Sequence, residues 1–204
     1  MGRDSEVDQS KRATLRRFAA LGAASPLVGL ASADESESDT PDAIAGYVSA
    51  TPGAHFSKIR DDLKLGTGET QHHLRELESN GVVERRKDGD YSRYFPADRF
   101  TEFEQVVFGY LRRDTPRGLL ITLLEAPDAT ASDIATALDV SRPTVSRYAA
   151  QLEETGILSR ADGYSIVDPE TVLLLLVRYD DSFGEDAARL AESAADLVEY
   201  TAEE

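Results

Sequence analysis

A gapless internal repeat constrains this chain more than any other feature: residues 41–85, shifted by 75 positions, lie on residues 116–160. Identical pairs are Pro41/Pro116, Pro52/Pro127, Ala54/Ala129, Ser57/Ser132, Ile59/Ile134, Leu63/Leu138, Leu77/Leu152, Glu78/Glu153, Gly81/Gly156 and Arg85/Arg160. Apolar residues match at Ile44/Leu119, Val48/Leu123, Leu65/Val140, Val82/Ile157 and Val83/Leu158. Solenoid and propeller repeats have periods of about 20–50 residues, so this longer period reads as one small domain duplicated. A chain of 204 residues has room for two such modules of roughly 60–75 residues each.

The pattern inside each copy defines the module. In the first, Ile44, Tyr47 and Val48 recur at helical spacing over 42–51, and Pro52-Gly53 stops that helix. Phe56, Ile59 and Leu63 place a second helix over 56–64, Gly66-Thr67-Gly68 reads as a turn, and a third helix spans 69–80 with Leu74 and Leu77 inward. Gly81 supplies the stop. Residues 82–86 and 92–95 then read as strands around Asp88-Gly89-Asp90, a hairpin turn signature. The second copy repeats the order with helices over 118–125, 132–138 and 142–155 and strands over 157–160 and 164–167. Ser141 is its N-cap, and Pro143 falls in the first turn, where proline is tolerated. Helix, helix, turn, helix, hairpin, twice, predicts a mainly α chain with small β-hairpin wings: a tandem winged helix-turn-helix. The predicted domains are 41–99 and 116–167, joined by an amphipathic connecting helix within 100–115. The remainder, 168–204, reads as C-terminal helices. Its apolar run Val172–Val177 and its stripe Phe183, Ala187, Leu190, Ala194, Leu197 and Val198 predict a dimerisation element.

Residues 1–40 are not domain-like. Arg16-Arg17 precede a small apolar stretch that ends in Ala31-Ser32-Ala33, an order shared with export signals, the twin-arginine type included. Phe18 follows the arginine pair directly, which departs from that pattern. The alternatives are a disordered extension, a surface helix or a start codon placed too far upstream. The expected compartment is the cytoplasm, with membrane contact only if the first 33 residues act as an anchor.

Composition excludes several chemistries. With no Cys there are no disulfides and no thiolate metal sites. The three histidines (His55, His72 and His73) lack metal-ligand spacing, and the adjacent pair is expected on different faces of its helix, so no metal and no cofactor is expected. The chain carries no G-x-S-x-G, no Gly-rich phosphate loop with Lys and no dinucleotide fingerprint, so it does not read as an enzyme. Net charge is −16, which by itself argues against nucleic acid. The charge is uneven, however: residues 41–100 hold 10 acidic and 9 basic residues, whereas 170–204 hold 10 and 2.

The residues able to touch DNA sit where a recognition helix and a wing are expected. In Asp139-Val-Ser-Arg-Pro-Thr-Val-Ser-Arg147, Val140 and Val145 pin two helices together and Ser141 caps the second. Ser141, Arg142, Thr144, Ser146 and Arg147 then occupy the N-terminal half that enters a major groove, where Arg reads guanine and Ser or Thr hold phosphates. The first copy offers Thr67, Gln71, His72 and Arg75, with Glu69 placed to repel phosphate and Gly66 and Gly68 in place of the cap and the proline. Its hairpin is expected to compensate with a basic cluster of Arg85, Arg86, Lys87 and Arg93 facing the backbone.

These motifs, with the Leu-x-x-Leu-Glu-x-x-Gly-Val-Val ending at 74–83 and its counterpart at 149–158, resemble archaeal predicted transcriptional regulators with two winged helix-turn-helix domains, those of halophilic archaea above all. The acidic, Lys-poor composition is similar to that of salt-adapted proteins. The resemblance covers residues 41–179 and implies sequence-specific binding of double-stranded DNA and control of transcription; a homodimer is expected from the C-terminal apolar run and stripe. The alternative is a winged-helix protein–protein interaction module, soluble or membrane-tethered, without direct DNA readout.

Overall fold

Each helix of the first copy ends where its counterpart in the second copy ends. The computed structural model describes residues 13–19 and 39–197 and divides the chain into two units, 1–105 and 106–204. Helix α1 covers residues 13–19. The first unit then contains α2 (Asp39–Ala50), β1 (Ala54–His55), α3 (Phe56–Asp62), α4 (Thr67–Ser79), β2 (Val83–Asp88) and β3 (Tyr91–Pro96). Helix α5 (Glu102–Leu111) follows, then α6 (Asp114–Glu125), α7 (Ala131–Ala137), α8 (Arg142–Glu154), β4 (Leu158–Ser159) and β5 (Ser165–Ile166). The described chain closes with α9 (Pro169–Arg178), a 3-10 turn at Asp180–Ser182 and α10 (Glu185–Leu197). The 75-residue shift carries α2, α3 and α4 onto α6, α7 and α8 residue for residue.

Local chemistry explains that identity. After α3 and α7 the chain turns through Lys64 (φ 56°) and Asp139 (φ 51°) in the left-handed region. The Leu65 N–H then donates to the Arg60 carbonyl at 2.9 Å, and the Val140 N–H donates to the Ala135 carbonyl at 3.0 Å. This is the helix-ending turn in which one left-handed residue satisfies the last carbonyls. The next helix starts three residues after the left-handed one in both copies, so the turn fixes the helix-turn-helix angle.

Helices α2 and α6 begin at Asp39 and Asp114, earlier than the proline positions suggested. Pro41 and Pro116 lie inside the first turn, where a missing N–H costs nothing because it would have no helical partner. Thr67 and Gly68 are likewise helical rather than part of a turn. The Glu69 carboxylate accepts the Gly66 N–H at 3.1 Å and does the capping work that glycine cannot.

The sheets differ between the copies. In the first, β1 adds to β3 and β2 in a three-stranded antiparallel sheet of order β1-β3-β2, with Ala54 opposite Tyr94 and His55 opposite Arg93. Sequence pattern missed β1, which is only two residues long. In the second, β4 pairs with β5 alone, and its hairpin is five residues shorter between the paired ends Leu158 and Ile166 than the first between Val83 and Pro96.

The first core gathers Ile44, Tyr47, Val48, Ile59, Leu63, Leu74 and Val83, all buried. Helix α1, which falls in the extension the sequence left unstructured or signal-like, inserts Leu15 into it, and Phe18 meets Tyr47 edge-on at 5.1 Å. Arg16 and Arg17 are exposed. The apolar stretch beyond Ala19, its Ala31-Ser32-Ala33 ending and Val198 lie outside the described residues.

The second core takes Val107, Phe108 and Leu111 from α5, together with Leu119, Leu123, Ile134, Leu152 and Ile157. Val172, Leu175, Leu176, Ala187 and Leu190 are buried too, and Phe183 stacks on Phe108 at 6.0 Å. Arg117 donates to the Leu111 carbonyl at 3.0 Å, to Asp114 at 2.9 Å and to Asp186 at 2.8 Å, so it ties α5, α6 and α10 together. The C-terminal stripe expected to make a dimer is therefore spent largely inside this unit. Exposed apolar area remains at Leu174 (58%) and Val167 (59%).

Candidate nucleic-acid interface

Helix α8 owes its exposed polar face to its period. Val145, Ala149 and Leu152 are buried on one side. Arg142, Ser146 and Arg147 are exposed on the other. The Ser141 hydroxyl accepts the Thr144 N–H at 3.3 Å and shares a 2.9 Å hydrogen bond with the Thr144 hydroxyl, so these two side chains close the helix start. Arg142 Nη2 donates to the Ser132 hydroxyl of α7 at 2.7 Å, which braces the side chain across the turn. The Arg147 guanidinium stands 4.9 Å from the Tyr148 ring centroid, a contact that extends it along the helix surface. Two arginines thus project from the first two turns, where the aligned amides add positive character.

Helix α4 presents Thr67, Gln71, His72 and Arg75 to solvent and buries Thr70, Leu74 and Leu77. Glu69 is occupied as a cap rather than free to oppose phosphate. Beside this helix lies a cleft of about 550 Å³ between α4 and the wing. Gln71, Arg75 and Glu78 line one wall and Arg85, Tyr91 and Tyr94 the other. Burial pushes the Tyr94 hydroxyl up from its ordinary value. Sequence reasoning missed His55, Glu78, Tyr91 and Tyr94 as members of this cleft. The signal available was the placement of Tyr91 just past the hairpin turn, where it is half exposed.

The basic wing does not form as expected. Side chains alternate across a strand, so four cations in one hairpin cannot share a face. Arg86 and Arg93 are directly opposite one another in register. Arg86 pairs with Glu102 at 3.3 Å. Arg93 is 3% exposed, bonded to Asp88, and donates to the Gly53 carbonyl at 2.9 Å. It is a buried tie between β3 and the chain before β1, unavailable to a phosphate. Arg85 and Lys87 occupy the opposite, exposed face, with Arg85 near Glu78 at 3.7 Å. The wing therefore offers two cations where the sequence suggested four.

The expectation that His72 and His73 point apart is also corrected: their rings meet edge-on with centroids 5.1 Å apart. Consecutive helical positions differ by about 100°, and rotation of two long side chains closes that gap.

The fold and these two exposed helix faces define a tandem winged helix-turn-helix protein. A family described as an N-terminal HTH domain matches residues 38–108, and one described as winged helix-turn-helix DNA-binding matches residues 112–159. The chain is similar to an uncharacterized HTH-type transcriptional regulator of Methanocaldococcus jannaschii, 30% identical over 130 residues. That match covers 63% of this chain and spans about a third (32%) of the relative's length. No solved structure matches the chain. Among the described residues no helix is long and apolar enough to cross a membrane.

Proposed function

We propose that this protein is a transcriptional regulator that binds double-stranded DNA sequence-specifically through both modules. The observation that carries the reading is the exposed α8 face, where Arg142 and Arg147 stand on a capped, positively polarised helix start above a buried Val145–Leu152 seam. An Arg at such a position reads guanine through paired hydrogen bonds, each worth about 1–3 kcal/mol of discrimination. The first module adds Gln71 and Arg75 from α4 and Arg85 and Lys87 from the wing, which serve as phosphate anchors more than base readers. Its share of the anchoring rests on two wing cations, so it is smaller than a four-cation wing would give. The second module, whose α8 holds both exposed arginines, carries most of the specificity.

A homodimer would present four recognition helices. Its seam would run over Leu174 on α9 and Val167 beside the second hairpin, and the apolar area exposed there supports this. The competing reading, a protein–protein module, predicts that Arg142 and Arg147 are dispensable.

Fluorescence anisotropy with a promoter fragment from the chain's own operon separates the two readings. Arg142→Ala with Arg147→Ala should weaken specific binding by roughly 30- to 20,000-fold and erase preference over scrambled DNA. Arg85→Ala with Lys87→Ala should weaken binding to every sequence alike and flatten its salt dependence. Unchanged affinity in the first double variant would reject direct readout by α8.

A further inference from the structure

We propose that His72, His73 and Glu76 form a binding site for a borderline divalent transition-metal ion, of the Zn2+ or Co2+ class, on the recognition helix of the first module. Helical spacing gathers them: Glu76 follows His72 by four residues and His73 by three, so one carboxylate stands beside both imidazoles. One donor atom from each residue lies within 4.8 Å of the other two. His73 Nδ1 is shielded from water and has no hydrogen-bond partner, while Glu76 Oε2 stands 3.5 Å from it. A ring nitrogen shielded from water and unbonded, with a carboxylate oxygen 3.5 Å away, is a pair of ligand atoms that a cation completes.

The donor set selects the ion. Imidazole nitrogens suit Zn2+, Co2+ and Ni2+ rather than Mg2+ or Ca2+. The chain contains three histidines and no cysteine, and the third histidine, His55, is engaged by accepting the Lys58 N–H at 3.2 Å. Tetrahedral coordination at about 2.0–2.1 Å brings donor atoms to roughly 3.4 Å apart. The present spacing, up to 4.8 Å, therefore has to close by as much as about 1.4 Å, which rotation of the exposed His72 and Glu76 side chains provides. Three protein ligands leave one position open to water or to an anion.

The repeat gives the site a purpose, which rests on the DNA-binding reading. The 75-residue shift places His72 on Arg147. Where the second module carries a permanent cation on its recognition helix, the first carries a metal-binding imidazole beside the carboxylate of Glu76. An ion bound there reverses the local sign and makes α4 attractive to phosphate, so metal would switch the first module's contribution to binding.

The test uses the full chain without a histidine tag, stripped with chelator, and titrated with Co2+ by visible absorption and with Zn2+ by calorimetry in the absence of DNA. One ion per chain is expected, with His73→Asn and Glu76→Gln each weakening it by at least about tenfold, and unchanged circular dichroism excluding misfolding. No saturable binding, or equal binding in these variants, would overturn the site. In a second arm, Zn2+ should tighten DNA binding of the native chain by about tenfold and leave His73→Asn unaffected. Metal binding without that gain overturns the switch and leaves the site standing. Loss of all DNA binding, with or without Zn2+, counts against the function proposed above, not against the metal site.

Discussion

Arg93 belongs to a basic stretch of sequence, yet its guanidinium faces inward onto Asp88 and the Gly53 carbonyl. Nothing within a few residues announces this, because one of its two partners lies 40 positions away. Removing the buried guanidinium takes away the donor to the Gly53 carbonyl and the ion pair to Asp88, which costs about 1–3 kcal/mol. Arg93→Ala should therefore lower the urea midpoint of the first unit sharply, while Lys87→Ala, on the exposed face of the same hairpin, should leave it unchanged within about 0.5 kcal/mol. DNA affinity measured below the unfolding range should respond in the opposite order. By contrast, the cap at Ser141 and the exposed positions of Arg142 and Arg147 were legible in the sequence. Each depends on a cap and a helical period that operate within a turn or two.

At the scale of elements, the two copies solve the same capping problem with different groups. The first helix of each helix-turn-helix pair is capped by Thr130 in the second module and by the imidazole of His55 in the first, each accepting the N–H three residues on. Burial lowers the His55 pKa below its ordinary value, with help from the nearby Arg93 and Lys58 cations against the opposing Asp61 and Asp62. A lowered pKa means that the folded state favours the neutral ring. The resulting stability is fully present above the unfolded value of about 6.5 and is lost as pH falls through the folded value. Protonation also removes the lone pair that accepts the Lys58 N–H. Urea unfolding, read by amide exchange at Ile59 and Leu63, should thus show the first unit weakening between pH 7 and pH 5. His55→Asn, a non-titrating cap, should flatten that dependence. A slope that survives the substitution would place the titration elsewhere. Asp62 does not confuse this window. Burial opposes its ionisation, but hydrogen bonds from Tyr47 and Lys58 outweigh it and hold its pKa below the ordinary carboxylate value, so its contribution is lost only at more acidic pH.

On the scale of the whole molecule, most of the apolar C-terminal stripe is consumed inside the second unit, which leaves Leu174 as the exposed apolar residue of α9. Leu174→Glu should therefore convert a dimer into a monomer in sedimentation equilibrium with little effect on unfolding. Sedimentation of the native chain as a monomer at micromolar concentration would remove the homodimer from the proposal. The sequence alone determined the duplication, the helix order and the capped recognition helix of the second copy. Those features are written in a 75-residue shift and in caps, turns and periods that act over one or two helical turns. Only the tertiary structure decided which cations remain free, which histidines meet, that β1 extends the first sheet, and that the C-terminal helices complete a core. Each of these depends on contacts between residues far apart in the chain, such as Arg93 with Gly53 and Arg117 with Asp186. Long-range partners of this kind leave no periodic trace in sequence, because a side chain's environment is fixed by what folds against it rather than by its neighbours along the backbone.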